Sequence, residues 1–236
     1  VAGRRAHRAP SPRARSQHFL LPDRAADLVR DAGVCAADVV VDLGAGDGRL
    51  TAPLARVAGR VVAIELDPRL AARLRGRWTN VEVIAGDAAT VPLPREPFRV
   101  VANLPFSRTN DLFHHLFDRA DTRLERADVV VQWGVARKRG VPWPSTVNSV
   151  IWGALYEVSI ARRLPPAAFE PPPSVDAGVL VFRRRATPLI DPHDHRQYRS
   201  FVARGFRHGV HTVAPVRVTA RELDPHQWAA LWNDRA

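Results

Sequence analysis

The stretch Val39-Val40-Val41-Asp42-Leu43-Gly44-Ala45-Gly46-Asp47-Gly48 decides the fold. A continuous run of β-branched residues reads as a strand covered on both faces, and it runs directly into three glycines at alternate positions. Without Cβ atoms those glycines let the chain turn sharply and come close to a ligand. The spacing is Gly-x-Gly-x-Gly. It is not the dinucleotide pattern Gly-x-Gly-x-x-Gly, whose third position is Arg49 here, and no Gly-Lys-Ser/Thr follows, which excludes a P-loop.

Downstream of this stretch, comparable runs recur at Val61–Ile64, Val81–Ile84, Val100–Ala102, Val129–Val131, Val158–Ile160 and Val179–Phe182, giving seven candidate strands. Amphipathic segments separate several of them. Leu50, Leu54 and Val57 fall on one helical face, with Pro53 tolerable only in the opening turn. Asp67-Pro68 reads as an N-cap followed by proline at the first helical position, ahead of Leu70 and Leu74. Leu112, Phe113, Leu116 and Phe117 form a further stripe. Strand alternating with helix predicts an α/β, doubly wound, seven-stranded and mostly parallel sheet, with its ligand beyond the carboxyl ends of the strands.

The sheet pattern stops at Arg185. Residues 186–236 carry Arg196, Arg199, Arg204, Arg207, Arg217 and Arg221, with Trp228 and Trp232 one helical turn apart, and read as a small helical C-terminal domain that contacts RNA. Residues 1–15 form a basic arm, and residues 16–185 the sheet domain. The chain of 236 residues has a net charge of +11, and five arginines with no acid stand before Asp23. Such an excess points to a polyanion, nucleic acid before membrane. All basic residues but Lys138 are arginine, which looks like codon preference; that explains which cation is used but not the excess over acids. No apolar stretch reaches the roughly 18–20 residues that span a bilayer. The single cysteine, Cys35, cannot close an internal disulfide, so a cytoplasmic protein without membrane association or structural metal is expected.

Glu65 closes the second run, 21 residues after Gly44, where an acid can accept hydrogen bonds from a ribose diol. Asp87 follows the third run and is placed to hold an adenine amino group. A glycine loop with these two acids reads as a nucleoside site with no phosphate requirement, which fits S-adenosylmethionine better than NAD or ATP. The fourth run ends in Asn103-Leu104-Pro105-Phe106. An Asn-Leu-Pro can be a plain turn after a strand. Beside a methyl donor it can also hold an adenine amine. The Asn103 amide oxygen and the Leu104 carbonyl would each accept one N–H, Pro105 would fix the backbone, and Phe106 would stack on the base.

Gly44 to Gly48, Glu65, Asp87 and Asn103 to Phe106, preceded by Ser16-Gln17-His18-Phe19-Leu20, resemble the ribosomal-RNA adenine-N6 methyltransferase superfamily. It contains the erythromycin-resistance methyltransferases and the small-subunit dimethyladenosine transferases. Asn103 to Asn110 (NLPFSRTN) and Val129 to Arg139 (VVVQWGVARKR) favour the resistance branch, and Pro171 to Asp176 is similar to both. The resemblance, over about residues 16–185, implies the Rossmann-like fold of class I S-adenosylmethionine-dependent methyltransferases. It implies that Gln17, His18 and Leu20 close over S-adenosylmethionine, that Gly44, Ala45 and Gly46 face its methionine part, Glu65 and Leu66 its ribose, and Asp87 and Ala88 its adenine. Asn103, Leu104 and Phe106 would act on the target base, Asn103 also touching the donor. The family usually has Asn at the position of His18, so that contact would differ here. The implied activity is methylation of 23S ribosomal RNA by a monomer, conferring resistance to macrolides, lincosamides and streptogramin B. The alternatives are a small-subunit dimethyladenosine transferase, a catalytically silent nucleic-acid-binding factor on the same fold, and a small-molecule methyltransferase, which would leave the charge unexplained. His114-His115 and His193-x-His195 lack cysteines or a clear acid partner, and no metal ligation is expected.

Overall fold

The computed structural model describes residues 18–235. The basic arm and Gln17 therefore lie outside the described residues. The strands are β1 Phe19–Leu20, β2 Val39–Leu43, β3 Arg60–Glu65, β4 Val81–Ala85, β5 Phe98–Asn103, β6 Leu124–Gln132, β7 Tyr156–Leu164, β8 Phe169–Glu170 and β9 Ala177–Arg184. The α-helices are α1 Pro22–Ala32, α2 Thr51–Val57, α3 Pro68–Leu74, α4 Thr109–Phe117, α5 Trp133–Gly140, α6 Val147–Gly153, α7 His195–His208 and α8 Pro225–Asn233.

Seven strands form one sheet in the order β4-β3-β2-β5-β6-β9-β7. All neighbours pair in parallel except β9, which runs antiparallel to both β6 and β7. The seven runs read from the sequence are these seven strands. Chain order reverses between β2 and β5, and the crevice such a switch leaves is where open α/β sheets bind ligands. The central strands are buried on both faces, as their apolar runs require. By contrast β4, which also reads as a nearly continuous apolar run, is half-exposed because it lies at the sheet's edge, and β7, at the other edge, alternates.

Local chemistry sets the helix starts. The Asp67 carboxylate accepts the Arg69 amide at 2.8 Å with Pro68 in the first turn, and Pro53 falls in the opening turn of α2. Leu54 is buried, but Val57 ends α2 with 39% exposure and does not join the predicted face.

Helices α1 and α2 cover one face, where Leu28, Val29, Leu50 and Leu54 meet Val40, Val61 and Val101. The other face packs Phe113, Phe117 and Trp152 against Phe182, whose ring stacks on Phe117 at 4.1 Å. Ile190, Tyr198, Val202, Trp228 and Trp232 belong to that same core, so the residues after Arg185 are built into the sheet's covering layer. Asp118 at the end of α4 ties the layer together. It accepts from Trp152 Nε1 at 3.1 Å and pairs with Arg199 at 2.6 Å and His114 at 2.9 Å. The Arg199 guanidinium beside it is the leading opposing influence to burial, and the carboxyl stays below its usual range.

Two short strands that periodicity does not reveal complete the fold. Phe19 pairs with Glu170 and Leu20 with Phe169, antiparallel, so the segment just before α1 is strapped to the segment after β7.

Candidate active site

The crevice at the switch point is a cavity of about 300 Å³. It is built from the carboxyl ends of β2, β3 and β5, the turn after β4, and the strap. Gly44, Gly46, Glu65, Leu66, Asp87, Ala88, Asn103, Leu104, Phe106 and His18 all line it. Two expected residues do not. Leu20 is buried in the core beside α1, and Ala45 packs on Ala63 and Leu74 beneath the loop. Strand alternation and the turn explain this: neighbours in a tight segment point to opposite sides.

Gly46 sits at φ +60°, and a Cβ there would come within 2.5 Å of Phe19 Cε1. The strap thus rests directly on the loop, and only glycine admits it. Gly44, at φ +79°, lies against Pro105, so the first loop and the Asn-Leu-Pro-Phe turn are in contact. The Gly46 amide donates to Glu65 Oε2 at 2.7 Å, and the Asp67 amide donates to Oε1 at 2.8 Å. These two bonds fix a carboxylate that is 4% exposed and leave free lone pairs on both oxygens.

Asp87 accepts the Ala89 amide at 3.0 Å and two contacts from Arg108 Nη2, at 3.3 and 3.1 Å. The Ala89 amide first, then the Arg108 guanidinium, hold its carboxyl below the usual range. Arg108 also pairs with Asp111 at 2.8 Å and lines the cavity. The sequence reading passed over it, because an arginine among so many carries no signal until its partner is known. Phe19, Ile64, Pro105, Ser107 and Leu112 complete the lining.

Asn103 is the distinctive residue. Its Nδ2 donates to the His18 carbonyl at 2.7 Å. A carbonyl can only accept, so the amide's orientation is set and Oδ1 faces away from the strap. That Oδ1 is buried and has no hydrogen-bond partner. A buried acceptor left unpaired costs on the order of 1–3 kcal/mol, which a ligand N–H would recover. Phe106 lines the same cavity, its ring 5.7 Å from the His18 ring and 6.4 Å from that of Phe169. His18 Nδ1 lies 2.9 Å from the Pro171 carbonyl and must carry the proton, since that oxygen cannot donate.

Arg49, where a dinucleotide loop would have its third glycine, anchors the strap. It pairs with Glu170 at 2.9 Å, donates to the Leu20 carbonyl at 3.4 Å, and lies over the Phe19 ring at 5.6 Å. Beneath the loop, Asp42 is 1% exposed and accepts from Thr51 Oγ1 at 2.7 Å. Burial, opposed by that hydrogen bond and reinforced by the nearby Glu65 charge, pushes its carboxyl up to about 7.

Comparisons with known proteins bear on the family of the chain. The chain is 35% identical over 209 residues to the mycinamicin-resistance protein MyrB of Micromonospora griseorubida, covering 82% of this chain and 66% of that protein. It is also 35% identical over 211 residues to ribosomal RNA small subunit methyltransferase A of Rubrobacter xylanophilus, covering 85% of this chain and 78% of that one. Among solved structures, that of the 23S rRNA methyltransferase ErmE superposes with a TM-score of 0.77 at 27% identity, covering 91% of this chain and 98% of ErmE. The chain spans just under two thirds of the length of MyrB. A family model described as ribosomal RNA adenine dimethylase matches residues 14–216, the stretch that holds the glycine loop, Glu65, Asp87 and the Asn103 turn, and the chain belongs to that family.

Proposed function

We propose that this chain transfers a methyl group to N6 of an adenosine in ribosomal RNA, with S-adenosylmethionine as the donor. The observation that carries the reading is Asn103, which lines the cavity together with Phe106 and whose buried Oδ1 has no hydrogen-bond partner. The residues fit the donor. The glycine cradle admits no Cβ under Phe19, Glu65 keeps lone pairs for a ribose diol, and Asp87 keeps acceptor capacity for an adenine amine. Gly44, Gly46 and His18 would border its methionine part, and Gln17 belongs to the same proposed set. When bound, S-adenosylmethionine supplies an electrophilic methyl on a sulfonium sulfur.

The exocyclic nitrogen of adenine is a poor nucleophile because its lone pair is delocalised into the ring. Asn103 Oδ1 accepts one of its N–H groups and the Leu104 carbonyl the other, drawing the nitrogen toward tetrahedral geometry with its lone pair free. Phe106 stacks on the base, a contact worth about 1–3 kcal/mol. Preorganised polar contacts of this kind are worth about 2.7–4 kcal/mol each at the transition state. The nitrogen loses its proton to solvent after it becomes cationic, so no strong base is needed. Removing the base from its stack costs a few kcal/mol, which arginine contacts to phosphates can offset.

The finer reading is an adenosine of 23S ribosomal RNA, with resistance to macrolides, lincosamides and streptogramin B as the consequence. The NLPFSRTN and VVVQWGVARKR stretches support it, as do the names of MyrB and ErmE. The equal identity to a small-subunit methyltransferase supports a second reading, an adenosine of 16S ribosomal RNA. Labelled methyl transfer onto protein-free 23S and 16S ribosomal RNA, followed by mass mapping, separates them; product on 16S alone would refute the first. Asn103→Ala is expected to lower turnover by at least 10²-fold while donor binding by calorimetry persists. Near-normal turnover in that variant would end the mechanism.

A further inference from the structure

A second cavity, of about 230 Å³, lies at the opposite end of the sheet, where α5, α6, the start of edge strand β7 and the start of α8 meet. Two arginines line it. Arg139, at the end of α5, donates from Nη1 to Thr146 Oγ1 at 2.7 Å, and its guanidinium lies over the Trp152 ring at 5.2 Å. Its Nε is buried without a partner, and among the described residues no carboxylate lies within 4.0 Å of it. Burial alone pulls this guanidinium below its usual value. Arg185 is 13% exposed at its side chain and donates from Nε to the Gly153 carbonyl at 2.9 Å. Among the described residues its one ion pair is a 3.5 Å contact with Glu157, which is two-thirds exposed. Its Nη2 lies 3.5 Å from His226 Nε2, at the first turn of α8.

Two desolvated cations facing one void are costly unless an anion joins them, because buried charges are stable only when paired. One acid borders the cavity, Asp224, and its Oδ1 is engaged by the Gln227 amide as the cap of α8. The forked donors of guanidinium match phosphate oxygens in pairs. The volume lies below the roughly 300–1,000 Å³ typical of drug-sized ligands. It suits one phosphate group with part of an attached sugar. We propose that Arg139, Arg185 and His226 form a phosphate-binding site, separate from the methyl-transfer cavity; only the RNA as a source of that phosphate rests on the proposed function. The phosphate belongs either to the backbone of the bound RNA or to a free nucleotide.

The test uses the whole chain. Inorganic phosphate, against sodium chloride at equal ionic strength, should raise the midpoint of thermal unfolding by about 3–6 °C at tenfold excess over Kd. Arg185→Gln should lose that rise. His226→Glu places a carboxylate at the mouth of the cavity, so it should raise the midpoint without phosphate and abolish the response to it. That second variant keeps the test decisive if Arg185→Gln folds poorly. No phosphate-specific rise in the unsubstituted chain, or a rise undiminished in His226→Glu, overturns the site. Once phosphate binding is seen, the salt dependence of RNA affinity assigns its source. A logarithmic slope shallower by about 0.7 in His226→Glu indicates a single-stranded RNA backbone contact, whereas an unchanged slope, with adenosine monophosphate bound by the unsubstituted chain and lost in His226→Glu, indicates a free nucleotide.

Discussion

Asp42 and Glu65 occupy neighbouring strands under one loop, yet their surroundings differ. Glu65 has two backbone amides as partners; Asp42 has only a hydroxyl, and burial dominates. With its carboxyl raised to about 7, the folded protein holds a proton that the unfolded chain releases near pH 4. The folded state binds more protons in that window, so this contribution is complete below about pH 4 and is lost as pH rises to about 7. Asp42→Asn keeps the acceptor for Thr51 without the titration. It is expected to be more stable than the natural chain at pH 8, by on the order of 2–4 kcal/mol, with the difference shrinking at pH 5. Thermal unfolding across pH 5–8 checks this; parallel curves for the two proteins would refute it.

The strap of β1 on β8 forms part of the wall of the site. Phe19 covers Gly46, the His18 carbonyl orients Asn103, and Arg49 pins both strands through Glu170 and the Leu20 carbonyl. Phe19 itself is only partly buried, while Leu20 is in the core. Phe19→Ala is therefore expected to weaken donor binding by about tenfold, as one lost contact of roughly 1.4 kcal/mol would, while the unfolding midpoint moves by only a few degrees. Calorimetric titration with S-adenosylmethionine measures the first and scanning calorimetry the second. Unchanged affinity would mean that the strap is merely structural. These residues were individually visible in the sequence, but two-residue strands carry no periodicity, and their partners lie about 150 positions apart.

Over the whole molecule, the helices after Arg185 share the aromatic core of the sheet. Trp228 is fully buried, stacks with Phe206 at 5.5 Å, and donates from Nε1 to the Ala220 carbonyl at 3.2 Å. Trp228→Ala should cost about 3–5 kcal/mol and lower the midpoint of a single cooperative transition. A two-step transition, with the sheet melting at its original temperature, would show that the C-terminal helices fold as an independent unit. The sequence sets this segment apart because its β pattern ends at Arg185. Its buried tryptophans and Tyr198 join the cluster that holds Phe182 and Trp152 only in space.

The sequence by itself determined the seven strands, the glycine loop and the order Glu65, Asp87, Asn103, since each is local: an apolar run, a turn or an acid at a strand end. The reversal of strand order follows from the same pattern only as an expectation of architecture, and pairing across β2 and β5 made it a crevice. Tertiary structure alone decided that Leu20 and Ala45 turn away from that crevice, that Arg108 sits on Asp87, and that Arg139 and Arg185 share a second cavity. The reason is physical. A strand or turn is selected by interactions among near neighbours, whereas the direction of a side chain and the partner of a charge depend on packing between segments distant in the chain.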